Sequence, residues 1–309
     1  MKLGTTLTAA ALGTVLLATA TACGNATGAT GNPGAGTSPA DSAPHVKANP
    51  DAIKLLPAKL QKGGTITMVA DLHYPPTSFL DKDNKTPIGY NVEIARLLGE
   101  ELGLEVKIEN VPWDNVIPGL ASGRYDFTAT NMSPKPDRLK VLDMVTYWEA
   151  GSSLIAQKGN PEHLSLADQS TCGKKIAVMT GSTQQQDYLP QLSAACTAAG
   201  QKPVDGVVLA NVEAALTQLV SHRVDGVFND TSQLAWAAKQ QPQAFELLSP
   251  QFKKQKGDNI VALGLPKNSQ LTEAIHAAMQ SLMDSPAYKQ TLDRWGLGSG
   301  AISKSEILR

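Results

Sequence analysis

The chain has 309 residues, enough for one large domain or two of ordinary size. Its 27 lysines and arginines nearly cancel its 28 aspartates and glutamates, which excludes the basic footprint of a nucleic-acid binder and any acidic tail. Beyond the N-terminal leader, no stretch reads as a membrane span, for which roughly 20 predominantly apolar residues are needed.

At the start of the chain, Lys2 precedes an apolar, small-residue stretch over residues 7–22, the pattern of a signal peptide. The stretch ends Ala20-Thr21-Ala22-Cys23, which resembles the lipobox of bacterial lipoproteins, although Ala20 stands where leucine is commoner. That resemblance implies a lipid on Cys23 as the first mature residue. The alternative is a plain A-x-A cleavage site with Cys23 a bystander. Residues 24–50 are dominated by Gly, Ala, Thr, Asn, Pro and Ser, with Val46 the only branched aliphatic, and cannot bury a core. A flexible linker is therefore predicted over residues 23–62.

The folded part is predicted to begin near Gly63, where residues 65–70 form an apolar, β-branched run that reads as a buried strand. The next segment, residues 91–101, places Val92, Ala95, Leu98 and Leu102 on one helical face, with Gly103 as the stop. Residues 104–111 read as a second strand, 116–121 as a short helix and 126–130 as a third strand. The order then repeats: strand at 175–180, helix at 182–199, strand at 206–210, helix at 212–220, strand at 225–229. Such alternation predicts parallel sheets. Leu120, Arg124, Asp126 and Asn131 match Leu219, Arg223, Asp225 and Asp230 in spacing, in step with the repeated βαβαβ order.

Two similar α/β lobes follow, residues 63–152 with 266–309 and residues 158–259. The apolar runs 153–157 and 260–265 fit as the two crossover strands of a hinge, and helices over 271–283 and 286–295 pack back onto the first lobe. Cys172 and Cys196, in an exported chain and far from C-x-x-C spacing, predict a structural disulfide rather than a metal or redox pair. Ligands of open α/β sheets bind beyond the carboxyl ends of the strands, so Asp71, Asn131, residues 180–183 and Asp230 lie where a site belongs.

At these positions the sequence resembles the family 3 solute-binding proteins, the polar amino-acid receptors of ABC importers. The segments that carry the likeness are Asp71-Leu-His-Tyr74-Pro-Pro-Thr-Ser-Phe79, Ile88-Gly-Tyr-Asn91-Val-Glu-Ile94, Trp113-Asp-Asn-Val-Ile-Pro118, Gly123-Arg-Tyr-Asp126, Asn131-Met-Ser133-Pro-Lys-Pro-Asp-Arg138 and Arg223-Val-Asp225-Gly-Val-Phe-Asn-Asp230. It implies a type II periplasmic-binding-protein-like fold, a monomeric receptor, an ABC permease as partner, a polar amino acid as ligand and no cofactor. Asn91 stands where the family usually has an acid, and a role as helix N-cap is expected for it.

The resemblance further implies that Arg138 pairs with the ligand carboxylate, as a planar bidentate fork can. Gly181, Ser182 and Thr183 follow a strand and open a helix, so their backbone N–H groups are expected to favour the same anion. Asp230 is the candidate partner of the ammonium, although an Asp there could equally cap the following helix. Ser133 and Asn131 complete the first-lobe contacts, Tyr74 and Trp113 match positions that place rings against the ligand side chain, and Asp71 matches one that reads a distal amide or cation.

Two other classes compete. A few relatives of this architecture turn over their ligand, cyclohexadienyl dehydratases among them, yet the chain has no G-x-S-x-G, H-E-x-x-H or Walker A motif, and its five histidines are scattered. A sensor lipoprotein with the same lobes and no importer is the third class.

Overall fold

The computed structural model describes residues 43–252 and 259–309; the predicted signal peptide, Cys23 and the first part of the linker lie outside them. The linker expected to reach residue 62 ends sooner. Asn49 accepts from the amides of Asp51 and Ala52 and so starts a short helix, α1 (Pro50–Lys54). Ala52 and Leu56 are buried, with Val46 and Ile53 packed beside them. So few apolar residues dock one turn of helix without producing a readable period. His45 and the Val46 amide also engage the Glu100 carboxylate, and the Asn49 amide reaches the Glu101 carbonyl.

Downstream, β1 (Thr65–Ala70) leads through three short strands, β2 (His73–Tyr74), β3 (Ser78–Leu80) and β4 (Pro87–Ile88), into α2 (Tyr90–Leu102). Next come β5 (Glu105–Asn110), α3 (Trp113–Ala121), β6 (Phe127–Met132), the single turn α4 (Pro136–Leu139) and β7 (Leu142–Glu149). The second lobe comprises β8 (Ser152–Gln157), β9 (Lys175–Met179), a π-helical turn at Gln184–Tyr188, α5 (Leu189–Ala198), β10 (Asp205–Leu209), α6 (Val212–Val220), β11 (Gly226–Asp230), α7 (Thr231–Gln240) and β12 (Phe245–Leu247). The chain returns through β13 (Ile260–Pro266), α8 (Thr272–Asp284), α9 (Pro286–Arg294) and β14 (Ile307–Leu308).

Lobe 1 is built on a sheet of order β14-β7-β13-β6-β1-β5 and lobe 2 on one of order β10-β9-β11-β8-β12. In each, strands joined by crossover helices pair in parallel, β5-β1-β6 and β10-β9-β11. Strands next to an interlobe crossing, β13 and β8, pair antiparallel to their neighbours. This is the two-lobe type II arrangement. The repeat noticed in the sequence has one physical job in both lobes: Asp126 accepts from the Thr67 amide at 2.7 Å and Asp225 from the Lys175 amide at 2.8 Å, while Leu120 and Leu219 are buried.

Three further expectations change. The runs at 153–157 and 260–265 do not bridge the lobes. Each lies inside one sheet, because an apolar run buried on both faces is what a central strand requires. The first crossing is Ala150–Gly151, and the Ala150 amide donates to the Asn259 carbonyl of the returning segment at 2.8 Å. Asn91 does not cap α2. Gly89 occupies that position with φ of 119°, where a Cβ would stand 2.5 Å from the Thr77 carbonyl oxygen, and Asn91 is buried in the first turn. The helix expected over 182–199 is split, since Pro190 has no amide hydrogen to continue the ladder and the turn ahead of it is widened. The expected Cys172–Cys196 disulfide is present, tying the segment before β9 to α5 with Cα atoms 5.5 Å apart.

Candidate functional site

Between the lobes lies a cleft enclosing about 450 Å³ of empty space, part of it open to solvent. Its first-lobe wall comes from the loop after β1 (Asp71, Tyr74), the start of α3 (Trp113), the end of β6 (Asn131, Ser133) and α4 (Arg138). The opposite wall comes from the loop after β9 (Ser182, Thr183) and the end of β11 (Asp230). All but α4 are carboxyl ends of parallel strands or the turns that follow them, where backbone groups stop pairing with a neighbouring strand and side chains turn inward. Every candidate ligand residue lines the cavity except Gly181.

Arg138 is buried, with its guanidinium over the Trp113 ring at 5.6 Å from the centroid. Nη1 donates to the Ser133 carbonyl at 3.0 Å and Nη2 crosses the cleft to the Gly181 carbonyl at 3.2 Å. Burial pushes its pKa down, against the opposing pull of Asp137, Asp187 and Asp230. A guanidinium remains charged nonetheless, and two neutral carbonyls compensate a buried cation less well than a carboxylate does.

Of the three amides expected to be free over Gly181–Thr183, those of Gly181 and Ser182 are occupied. Gly181 N–H donates to Gln185 Oε1 at 2.6 Å and Ser182 N–H to the Met179 carbonyl, because the Gln185 side chain folds back over the turn. Ser182 and Thr183 both line the cavity, and the Ser182 hydroxyl accepts from the Gln185 amide at 3.1 Å.

Asp230 is the N-terminal flank of α7, yet its side chain makes no capping bond. Instead Oδ1 accepts from Gln184 Nε2 at 2.8 Å, while Oδ2 faces the Tyr74 hydroxyl at 3.3 Å and Asn131 Nδ2 at 3.5 Å. Burial, then the Asp230 charge, raises the Tyr74 hydroxyl pKa well above its ordinary value, so it stays a neutral donor. At the other end, Asp71 Oδ2 accepts from the Trp113 amide at 3.1 Å and Oδ1 meets His73 Nδ1 at 2.8 Å. The same carboxylate thus fixes the start of α3 and puts a negative charge at the rim.

Sequence reasoning missed Gln184, Ser78 and Thr130, and gave Asn91 a different task. Asn91 Nδ2 donates to Ser78 Oγ at 3.0 Å and Asn131 Oδ1 at 3.1 Å, while Asn91 Oδ1 accepts from the Tyr147 hydroxyl at 2.7 Å. Asn131 sits at φ of 54°, a left-handed conformation asparagine tolerates, and this turns its amide to Thr77 and Asp230. The one signal in the sequence was the asparagine at 91 where an acid is usual. Among the described residues no cluster of His, Cys, Asp and Glu could hold a metal ion, and no helix is long and apolar enough to cross a membrane.

The family model for bacterial extracellular solute-binding proteins, family 3, matches residues 66–298. The arginine-binding protein ArgT of Corynebacterium glutamicum is 25% identical over 262 residues, 84% of this chain and 83% of its own. The L-cystine-binding protein TcyA of Bacillus subtilis is 30% identical over 174 residues, 56% of this chain and 60% of its own. Among solved structures, an ancestral arginine-binding protein bound to arginine aligns with a TM-score of 0.66 and 27% identity, covering 75% of this chain and 98% of the other.

Proposed function

The chain belongs to the bacterial extracellular solute-binding proteins of family 3, and from that membership and the leader pattern we propose a lipid-anchored receptor that closes on a polar amino acid and hands it to an ABC importer. The observation that carries this reading is the placement of Arg138 and Asp230 on opposite lobes across one cavity. A zwitterion presents both matching charges, and only with the lobes together can it satisfy both. Arg138, helped by the Ser133, Ser182 and Thr183 hydroxyls, takes the carboxylate; Asp230 takes the ammonium; Tyr74 and Trp113 flank the side chain.

Asp71 gives the far end a second carboxylate, so the charged side chains lining the cavity, Asp71, Arg138 and Asp230, sum to −1. A ligand of net charge +1 neutralises that set. This favours a basic amino acid, L-arginine first, in keeping with the names of two of the similar proteins. Delivery to a permease and the lipid on Cys23 rest on family membership and on the leader pattern respectively.

A thermal-shift screen of the purified protein against amino acids and related zwitterions tests the reading. Saturation at about 100 times Kd adds roughly 2.7 kcal/mol of stability. At least one strong hit is expected, lost in Arg138→Ala and weakened in Asp230→Ala. If no zwitterion raises the melting temperature, the amino-acid reading fails. Turnover of prephenate or arogenate by the same protein would favour the dehydratase class instead.

A further inference from the structure

Outside the cavity, at its carboxylate end, Lys135 of lobe 1 reaches across to lobe 2. Its Nζ lies 2.7 Å from Gln186 Oε1 and 3.1 and 2.9 Å from the two Asp187 carboxylate oxygens. An ammonium has three hydrogens and nothing to accept with, so these contacts occupy its whole donor capacity. The Lys135 side chain is only 14% exposed, so its stem is lodged between the lobes rather than waving in solvent.

The two ends of this contact sit in informative places. Lys135 lies two residues after Ser133 and three before Arg138, and Asp187 lies four residues after Thr183 in the π-helical turn. Neither Lys135 nor Asp187 faces the cavity; both line an outer groove whose wall also includes Ser133 and Thr183, the two residues that groove and cavity share. The pair therefore ties together, from outside, the two loops that carry the carboxylate-binding side chains.

We propose that Lys135 and Asp187 are positioning residues that clasp the lobes at the carboxylate end and so set how fast ligand leaves, without touching it. The inference rests on the receptor reading above. Because the partners belong to different lobes, their contact is lost when the cleft opens. Removing it should ease opening and leave encounter with the open form nearly unchanged. A partner charge lost from a hydrogen-bonded interlobe pair acts mainly on dissociation.

The test is stopped-flow binding of L-arginine to the purified protein, with Lys135→Met, Asp187→Asn and the charge swap Lys135→Asp with Asp187→Lys. Each single variant should release arginine about fivefold faster with association within about twofold, and the swap should restore slow release. Unchanged release in both single variants overturns the clasp. A second readout does not need the ligand: spin labels at Val141 and Val208, exposed positions on lobes 1 and 2, report the interlobe distance. If L-arginine gives no signal even with the unaltered protein, the ligand assignment fails by itself. Longer distances in the single variants, reversed by the swap, would then still support the clasp, and unchanged distances would overturn it.

Discussion

At Asn91 a single atom decides which way a second side chain faces. Its Nδ2 donates to Asn131 Oδ1, and that leaves Asn131 Nδ2 directed at Thr77 and Asp230. Asn91→Asp puts an oxygen opposite an oxygen. Asn131 can escape only by flipping its amide, which turns its own oxygen on the Asp230 carboxylate. The variant should lose about 1–3 kcal/mol, the range for a buried polar group left without its partner, and should bind ligand more weakly. Urea denaturation and calorimetry together check this; an unchanged midpoint with unchanged affinity would sink it. Asp71 and Asp230 were readable because they stand at or just beyond strand ends, whereas Arg138, on α4, was singled out only through the family resemblance. Gln184 was not readable. Its partner Asp230 is 46 residues away, and nothing in a glutamine on an expected helix face announces that contact.

Among the elements, α2 carries a cost that composition hides. Glu93 and Glu101 are both buried on it, and burial raises both carboxyl pKa values, with Arg294 and Ser281 respectively opposing the shift. An acid whose pKa is raised in the folded state contributes stability that is fully present below its ordinary value and is lost as pH climbs through the folded value. Native stability should therefore lose a share as pH rises from the ordinary value of 4.5, and Glu101→Gln should remove that share while keeping a partner for Ser281. Melting temperatures across pH 4 to 7 on both proteins measure it; parallel curves would refute the assignment. In lobe 2, reducing Cys172–Cys196 reopens a link between residues 24 apart, and the chain-entropy relation puts the loss at about 3.5 kcal/mol. Denaturation with and without reductant gives the figure. Elements with a clear period were legible to within a residue or two, as α6 was. The widened turn at Gln184–Tyr188 was not, because the pattern of apolar residues does not show that Pro190 interrupts the backbone ladder.

Across the whole molecule, the lobes meet at several places besides the ligand cavity. Phe79 of lobe 1 packs against Trp236 of lobe 2 with ring centroids 5.8 Å apart, and Gln233 Nε2 approaches the His73 carbonyl at 3.4 Å. Aromatic pairs contribute about 0.5–1.5 kcal/mol beyond buried area, so Trp236→Ala should weaken ligand binding by about fivefold while the melting temperature of the ligand-free protein moves little. Calorimetry decides it, and an unchanged Kd would show that the contact does not favour closure. The two-lobe plan was legible from the repeated βαβαβ order. The true crossings were not, because Ala150–Gly151 is too short and too plain to stand out beside apolar strands that resemble hinges.

The segment from His45 to Leu56 is laced to α2 through Glu100 and Glu101 and buries its apolar side chains in lobe 1. Any pull arriving along the chain from its N-terminal side is therefore borne by one lobe and has no lever arm across the cleft. On the receptor reading, closure would move lobe 2 toward a lobe 1 held from its N-terminal side. Were Cys23 lipidated as proposed, tension on that tether would load lobe 1 and leave the interlobe contacts unstretched.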